Sequence, residues 1–231
     1  MQHRLLITLS LLSLCSLAAC GDDDDDSTGI GGNATVRFAN ATNTSLDVAT
    51  GGTVATGNGN VVFGGTSTCT VLSAVEPDLE VRQAGTTNAL SASSYSPTFT
   101  SGNNYVVVAY PGFSGSAQYA TISTSVAPAA GQAGLRVVNL AAGSGAFDVY
   151  VTAPGAALGT SSATGVGFGT SSGLINVTPG SQLIRLTNTG TQTVAINAGN
   201  QTFTAGQTGV LVVAPPAPGT TALRSFFVTG C

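Results

Sequence analysis

The feature that most constrains this chain is an internal repeat with a spacing of about 100 residues. Residues 34–40 (ATVRFAN) return as AGLRVVN at 133–139, and residues 98–102 (TFTSG) return as TFTAG at 202–206. Three shorter matches lie between them: Leu46-Asp47-Val48 with Phe147-Asp148-Val149, Phe63-Gly64 with Phe168-Gly169, and Val81-Arg82 with Ile184-Arg185. The matches keep one order, and their offset changes only from 99 to 105 residues, which indicates a duplicated structural unit.

Each copy is predicted to be all-β. Short runs of Val, Ile, Phe and Tyr alternate with Gly, Asn, Ser and Pro, as is typical of strands separated by turns. No stretch has a sustained helical period. A unit of this length has the size of an immunoglobulin-like β-sandwich. We therefore predict two tandem immunoglobulin-like β-sandwich domains, at residues 34–127 and 133–231, joined by a linker at 128–132.

The repeated charges lead to a more specific prediction. If residues 36–38 and 46–48 form an antiparallel pair, Arg37 lies opposite Asp47 and the apolar neighbours of both face the core. The same register places Arg136 opposite Asp148. We predict two cross-strand ion pairs, each contributing about 0.2–1 kcal/mol, and interpret these charges as structural. A ligand site shared by the two repeats is the alternative.

The first residues of the chain have a different character. A short positive start precedes an apolar run of about ten residues, whereas a bilayer span needs about 20. Residues 1–19 are therefore predicted to be a signal peptide. Leu17-Ala18-Ala19-Cys20 resembles the lipobox of bacterial lipoproteins, and this resemblance implies that Cys20 is acylated and anchors the protein to a membrane. An ordinary signal peptide with an incidental cysteine is the alternative.

Residues 20–33 are predicted to be a tether. The five adjacent aspartates at 22–26 repel one another and stay solvated, and the glycines that follow add flexibility. A calcium loop is the alternative, but such loops alternate their ligands with other residues and need an internal glycine. In lipoproteins of Gram-negative bacteria, an aspartate directly after the lipidated cysteine retains the protein at the inner membrane. Gly21 at this position implies the outer membrane, with the protein facing the periplasm or the cell surface.

Composition excludes several classes of function. Beyond residue 19 the chain has no histidine, lysine or tryptophan, and five arginines stand against ten acids, a net charge of −5. Without a basic patch, nucleic acid is not an expected partner. Residues 169–173 match the G-x-S-x-G pattern of a hydrolase nucleophile, but the chain offers no histidine or lysine as its base. We predict no catalytic residue, no metal site and no cofactor.

One local group of acids, Glu76-Pro77-Asp78-Leu79-Glu80, is interpreted as a solvated strand edge, because its proline blocks further strand pairing. A metal site and a pair of catalytic carboxylates are the alternatives.

The remaining cysteines predict a disulfide. Cys15 leaves with the signal peptide and Cys20 carries lipid, so Cys69 and Cys231 remain in an exported protein, where two cysteines usually pair. Neither has a counterpart in the other repeat, which favours a bond between the two domains. Free thiols or pairing with another molecule are the alternatives.

Residues 135–139 (LRVVN), 147–151 (FDVYV) and 166–169 (VGFG) resemble the domain of unknown function 4397 family of bacterial envelope proteins. The second repeat carries the closer resemblance, because residues 46–49 lack the tyrosine. Family members often continue the first strand with a histidine and a Ser-Pro-Asp turn, where this chain has Asn139 and no such turn. The resemblance covers most of residues 34–231 and implies a β-sandwich without an established activity.

These features favour a non-enzymatic, lipid-anchored envelope protein whose sandwiches present an interaction surface to an envelope protein or polymer. A carbohydrate-binding module is the alternative, with sugar rings stacked on tyrosines. Its candidates are Tyr95, Tyr105, Tyr110, Tyr119 and Tyr150. A hydrolase that uses carboxylates alone is a third and weaker hypothesis.

Overall fold

A computed structural model describes residues 32–75, 77, 79–90, 95, 97–112 and 116–231. In these residues the regular structure is all β-strand, as predicted. The strands of the first repeat are β1 (Asn33–Asn40), β2 (Leu46–Thr50), β3 (Thr53–Val54), β4 (Thr70–Ser73), β5 (Leu79–Gln83), β6 (Asn104–Pro111) and β7 (Ala117–Ser123). Those of the second repeat are β8 (Ala133–Asn139), β9 (Phe147–Thr152), β10 (Ala163–Val166), β11 (Ile175–Val177), β12 (Gly180–Asn188), β13 (Val194–Phe203), β14 (Thr208–Ala214) and β15 (Arg224–Thr229).

Each repeat folds into a β-sandwich of two sheets. Strand order is β4-β1-β6-β7 and β3-β2-β5 in the first repeat, and β11-β8-β14-β15 and β10-β9-β12-β13 in the second. The two orders are equivalent, except that β13 extends the last sheet. In both repeats the first strand pairs in parallel with a later one, β1 with β6 and β8 with β14. We call the sheets that contain β1 and β8 the inner sheets, and the other two the outer sheets.

Each sandwich has its own apolar core between its inner and outer sheet. Phe38, Leu46 and Val107 are fully buried in the first core, and Phe147 and Leu211 in the second. These side chains alternate along their strands with residues that face away from the core, as the two-residue period of a strand requires.

A third apolar layer joins the two sandwiches. It contains Val106 and Val108 of β6 together with Val138, Val210 and Val212 of β8 and β14, all at most 2% exposed. The two inner sheets therefore pack against each other, and residues Gly31–Cys231 form one compact unit. Burial on both faces explains why β6 and β14 have nearly continuous apolar sequences, NYVVVAYP and TGVLVVA.

The predicted Arg37–Asp47 and Arg136–Asp148 ion pairs are wrong. Strand β1 pairs with β4 and β6 in the inner sheet, whereas β2 pairs with β3 and β5 in the outer sheet, and the second repeat repeats this arrangement. Alternating apolar residues indicate which face of a strand is buried, but not which strand lies beside it. The apolar sides of β1 and β2 meet across the core from opposite sheets, so their charged sides point away from each other.

The repeat match of Val81-Arg82 with Ile184-Arg185 is also out of register. Val81 lies opposite Val48 of β2, while the residue opposite the equivalent Val149 is Leu186. The structural counterpart of Arg82 is therefore Thr187, two residues further along the chain.

Candidate functional site

The carboxylate of Asp47 holds two loops of the first repeat together. Its Oδ1 accepts a hydrogen bond from the backbone N–H of Asn60 (2.7 Å), and its Oδ2 accepts one from Gly85 (2.9 Å). Both donors adopt positive φ, 52° and 75°, so each lies in a left-handed turn. Asp148 does the same in the second repeat, with Gly165 at 2.9 Å and Gly190 at 3.0 Å.

These hydrogen bonds stabilise the ionised carboxylates. The N–H groups of Asn60 and Gly85 lower the pKa of Asp47, and those of Gly190 and Gly165 lower the pKa of Asp148. Each carboxylate oxygen already accepts a bond from the chain itself. The two aspartates are structural, as predicted, but they bind backbone turns instead of arginines.

Two buried asparagines, Asn40 and Asn139, have the same kind of role, and sequence analysis missed it. Both are 0% exposed. The Asn40 Nδ2 donates to the carbonyls of Thr44 (2.8 Å) and Val61 (2.7 Å), and its Oδ1 accepts from the N–H of Thr42 (2.7 Å). Asn139 Nδ2 donates to the Gly145 carbonyl, and its Oδ1 accepts from the Ala141 N–H. Their recurrence at the same offset as the neighbouring arginines was the available signal.

The G-x-S-x-G match at residues 169–173 is the second copy of a structural turn. Ser172 Oγ accepts from the Val137 N–H (2.9 Å) and donates to the Gly173 carbonyl (2.8 Å). In the first repeat Ser67 makes the same two bonds, with Phe38 N–H and the Thr68 carbonyl. Ser171, at the position of a nucleophile, lies in a β-bridge with Val138, as Thr66 does with Ala39. The motif is a loop, as interpreted from the sequence.

The arginines bind carbonyl and hydroxyl oxygens more often than acids. Arg37 Nη1 donates to the Thr229 carbonyl (2.8 Å) across the two inner sheets, and its counterpart Arg136 donates to the Ser172 carbonyl (3.3 Å). Arg185 donates to Thr152 Oγ1 and to two carbonyls of the β9–β10 loop.

The acidic group 76–80 is described in part. Glu76 and Asp78 lie outside the described residues, and Glu80 forms a salt bridge with Arg82 that lowers the pKa of Glu80. Across the residues that the structure covers, no group of three His, Cys, Asp or Glu side chains lies close enough to hold a metal ion.

Three contacts fasten the two sandwiches at the edge of the shared layer. The predicted disulfide joins Cys69, before β4, to Cys231, after β15, with Cα atoms 6.0 Å apart. Phe63 packs against Phe226 with ring centroids 5.4 Å apart, and its counterpart Phe168 packs against Tyr110 at 6.3 Å. The repeated Phe-Gly motif thus supplies each sandwich with a ring that contacts the other.

Arg224 of β15 joins the sandwiches at the end of β1. Its guanidinium lies 3.6 Å from the centre of the Phe63 ring, and Nη2 donates to Asn43 Oδ1 (2.8 Å). Its Nε donates to the carbonyl of Pro215 (2.9 Å). Burial lowers the pKa of Arg224, and the ring face and the two oxygens stabilise its charge.

The tyrosines do not form an exposed platform for a sugar. Tyr105 and Tyr150 are buried, and Tyr95, Tyr110 and Tyr119 are half-buried. The rings of Tyr95 and Tyr119 stack on each other, 4.3 Å apart, against the first core.

A cavity of about 200 Å³ opens near the end of β1, and the described residues that line it are uncharged. Thr42, Asn43, Thr44, Leu90, Pro111, Ser116 and Ala117 line it. The Thr42 hydroxyl and Asn43 Oδ1 already bind groups of the chain itself. The part of the lining that the structure describes therefore offers no charge that would select a ligand class.

The N-terminal predictions lie outside the described residues. They comprise the signal peptide, the lipidation site Cys20 and the aspartates at 22–26. Among the residues with described structure, no helix has the length and apolar character needed to cross a membrane.

Fold and side-chain contacts define an all-β protein of two packed sandwiches, whose recurring polar residues hold its own loops. Residues 34–150 match the domain of unknown function DUF4397, and the chain belongs to this family. The match covers all of the first repeat and the opening strands of the second. It ends at residue 150 and leaves out the rest of the second repeat, which the sequence had suggested as the closer copy, so a second tandem domain of this family stays a prediction.

A solved structure similar to part of the chain is described as the C-terminal domain of AlgF from P. aeruginosa, determined with CS-Rosetta. The similarity covers 43% of this chain and 98% of that one, with 20% identity and a TM-score of 0.31. No curated protein matches the chain.

Proposed function

We propose that this chain is a non-enzymatic, lipid-anchored protein of the bacterial cell envelope. Its signal peptide directs export, Cys20 carries the lipid, and residues 20–33 hold the sandwiches away from an outer membrane. The paired sandwiches present an interaction surface to another envelope protein or polymer, in the periplasm or at the cell surface.

The observation that carries this proposal is that several of the chain's few reactive or charged side chains bind its own backbone. Asp47 and Asp148 bind backbone N–H groups, Ser172 binds a strand, and Arg37 binds a backbone carbonyl. Two of the chain's carboxylates, one serine hydroxyl and one guanidinium thus hold the fold together. The carbohydrate-binding alternative is less favoured, because all five tyrosines are buried or half-buried.

The anchor is tested by expressing the full chain with Cys20→Ala in a Gram-negative host. We expect wild-type protein to take up a clickable fatty-acid analogue and to fractionate with membranes, and the variant to lose both properties. Deletion of residues 22–26 is the matched control, because it should leave labelling unchanged. Labelling that persists in Cys20→Ala would overturn the proposed anchoring.

A further inference from the structure

The connection between β14 and β15 is longer than the fold requires. It comprises nine residues, 215–223, whereas the equivalent connection between β6 and β7 comprises five. Three of the chain's nine prolines lie within its first four residues, Pro215-Pro216-Ala217-Pro218. Its last residue, Leu223, packs against the core of the second sandwich. We call residues 215–220 the proline loop.

The sequence of the proline loop dictates an extended backbone. Proline restricts its own φ to about −65°, and the residue before a proline is excluded from the helical region. Pro215, which is itself followed by a proline, is therefore confined to the polyproline II region, and Ala217 to the β and polyproline II regions, while Pro216 has its φ fixed. The segment ends in a type II turn, in which the Thr220 N–H donates to the Ala217 carbonyl (3.0 Å) and Gly219 has a φ of 77°.

The base of the proline loop is fixed to both sandwiches. Arg224 donates to the Pro215 carbonyl, and it is itself held by the ring of Phe63 and by Asn43 of the first repeat. The segment is therefore presented in one conformation, which reduces the conformational entropy lost when a partner binds. Residues 218–222 are exposed, and residues 215–217 are half-buried.

The proline loop lies at the far end of the molecule from Asn33, where the chain enters the fold. Strand β1 has eight residues, about 26 Å of extended chain, and Asn43, which binds Arg224, lies three positions beyond its last residue. If the proposed anchor is correct, the N-terminal tether attaches at one end of the sandwiches and the proline loop projects from the other.

We propose that the proline loop is a docking segment for a partner protein with an aromatic-lined groove. Such grooves bind polyproline II segments through the flat faces of prolines and through backbone carbonyls, without needing charge on the ligand. The carbonyls of Pro215 and Ala217 already accept hydrogen bonds from Arg224 and Thr220, so the loop offers its proline faces and the carbonyls of Pro216 and Pro218. This matches a loop of three prolines, one alanine, one glycine and one threonine. The inference deepens the proposed function by naming the surface that is presented and the kind of partner that it fits.

The test uses the full chain in intact cells, with the photo-cross-linker benzoylphenylalanine at Thr221, beside the proline loop. Thr193, exposed in the β12–β13 connection at the same end of the molecule, is the matched control position. We expect one adduct of discrete mass from position 221 and none from 193. The adduct should disappear in the variant with Pro216→Ala and Pro218→Ala, whose folding is checked by its melting temperature.

Failure to cross-link at position 221, or an adduct that survives both proline substitutions, overturns the inference. If the proline variant has a lower melting temperature, Pro216→Ala alone replaces it, because this change leaves the turn at 218–219 intact. The outcome is separable from that of the anchor experiment. Membrane fractionation through Cys20 without an adduct rejects the docking segment alone, whereas an adduct without lipid labelling rejects the anchor alone.

Discussion

Single aspartates with two backbone partners recur at equivalent places in both repeats. Asp47 and Asp148 each replace the water that would otherwise solvate two left-handed turns, and the lowered pKa of each reflects those bonds. The residue opposite the aspartate on the neighbouring strand differs between the repeats, Arg82 for Asp47 and Thr187 for Asp148. The two backbone hydrogen bonds are the same in both, so they depend on the turns and not on a charged partner.

Asp148→Asn should lower the free energy of unfolding by about 1–3 kcal/mol at pH 7, since a hydrogen bond to a charged group is lost and a backbone N–H loses its acceptor. The folded pKa of Asp148 lies below the unfolded value near 4, so its contribution is complete above that value and disappears as the pH falls through the folded pKa. Urea unfolding should therefore show the difference between variant and wild type shrinking below about pH 4. Glu80→Gln, at an exposed ion pair, is the control and should change stability little. An unchanged difference at low pH would contradict the assignment.

The small and the aromatic residue of the Gly209–Phe227 pair occupy opposite positions in the two repeats. A Cβ at Gly209 would overlap the ring of Phe227, which packs on Phe203 at 5.4 Å. In the first repeat the equivalent positions are Tyr105 and Thr121, and there the ring of Tyr105 packs on Phe99 at 4.9 Å. The ring beside each core phenylalanine is thus supplied by a different strand in each repeat.

Gly209→Ala should destabilise the protein by about 1–3 kcal/mol, because the added methyl group forces the Phe227 ring to move within a packed core. Adding Phe227→Thr should remove the overlap, so the double variant should be more stable than the sum of the single effects predicts. Thermal or urea unfolding of the three variants measures this coupling. Strict additivity would show that the two residues do not compete for the same space.

At the scale of strands, the inner sheets differ from the outer ones in what covers them. Every residue of β14 is buried, because the strand lies between its own core and the shared layer. The edge strand β13 is long, and half of its residues are exposed, but its pairing with β12 shifts register twice. Irregular pairing of this kind discourages edge-to-edge association with other chains.

Phe63→Ala should lower the free energy of unfolding by about 1–3 kcal/mol, because the ring contacts both Phe226 and the Arg224 guanidinium across the sandwiches. Val62→Ala, one residue away and 52% exposed, is the matched control and should change stability by less than about 0.5 kcal/mol. A double-mutant cycle with Arg224→Leu measures the coupling between ring and guanidinium. Equal effects of Phe63→Ala and Val62→Ala would exclude a role for the ring in joining the sandwiches.

At the largest scale, the described residues from 32 to 231 form a stack of four sheets, in which the two repeats share an apolar layer in addition to their own cores. A flexible joint at residues 128–132 is therefore not the main determinant of how the sandwiches are oriented. Side-chain packing, the Cys69–Cys231 bond and the Arg224 contacts hold them together.

Residues 33–130 and 131–231, expressed separately, should each form β-structure but with a lower melting temperature than the whole chain, because each half exposes the apolar face of its inner sheet. When mixed, the halves should associate, as detected by sedimentation velocity under reducing conditions. Two stable monomeric halves that do not associate would mean that the shared layer contributes little.

The variant with Cys69→Ser and Cys231→Ser should lose up to about 5 kcal/mol of unfolding free energy, the chain-entropy value for so long a loop. The bond spans 162 positions of sequence, so it restricts the unfolded chain strongly. The circular dichroism spectrum should not change, because the shared layer remains. Either single variant should be about as destabilised as the double one, and a wild-type protein with two alkylated thiols before reduction would contradict the bond.

Composition and repetition by themselves determined the all-β class, the two sandwiches and the structural role of the G-x-S-x-G match. The pairing of Cys69 with Cys231 was also predicted from the sequence, because Cys15 and Cys20 were assigned to a signal peptide and a lipid anchor. These features are local or countable: alternation along a strand, turn residues between strands, and the absence of a base.

Only the tertiary structure decided which strands are neighbours and what covers the inner sheets. Arg37 and Asp47 alternate with apolar residues in the way that a paired hairpin would, yet their strands lie in different sheets. Alternation with a two-residue period predicts which face of a strand is buried. It does not predict which strand lies beside it, since a strand in either sheet of a sandwich shows the same alternation. The shared apolar layer and the backbone hydrogen bonds to Asp47 and Asp148 likewise join residues that are distant in sequence. Their geometry exists only once the sheets have packed.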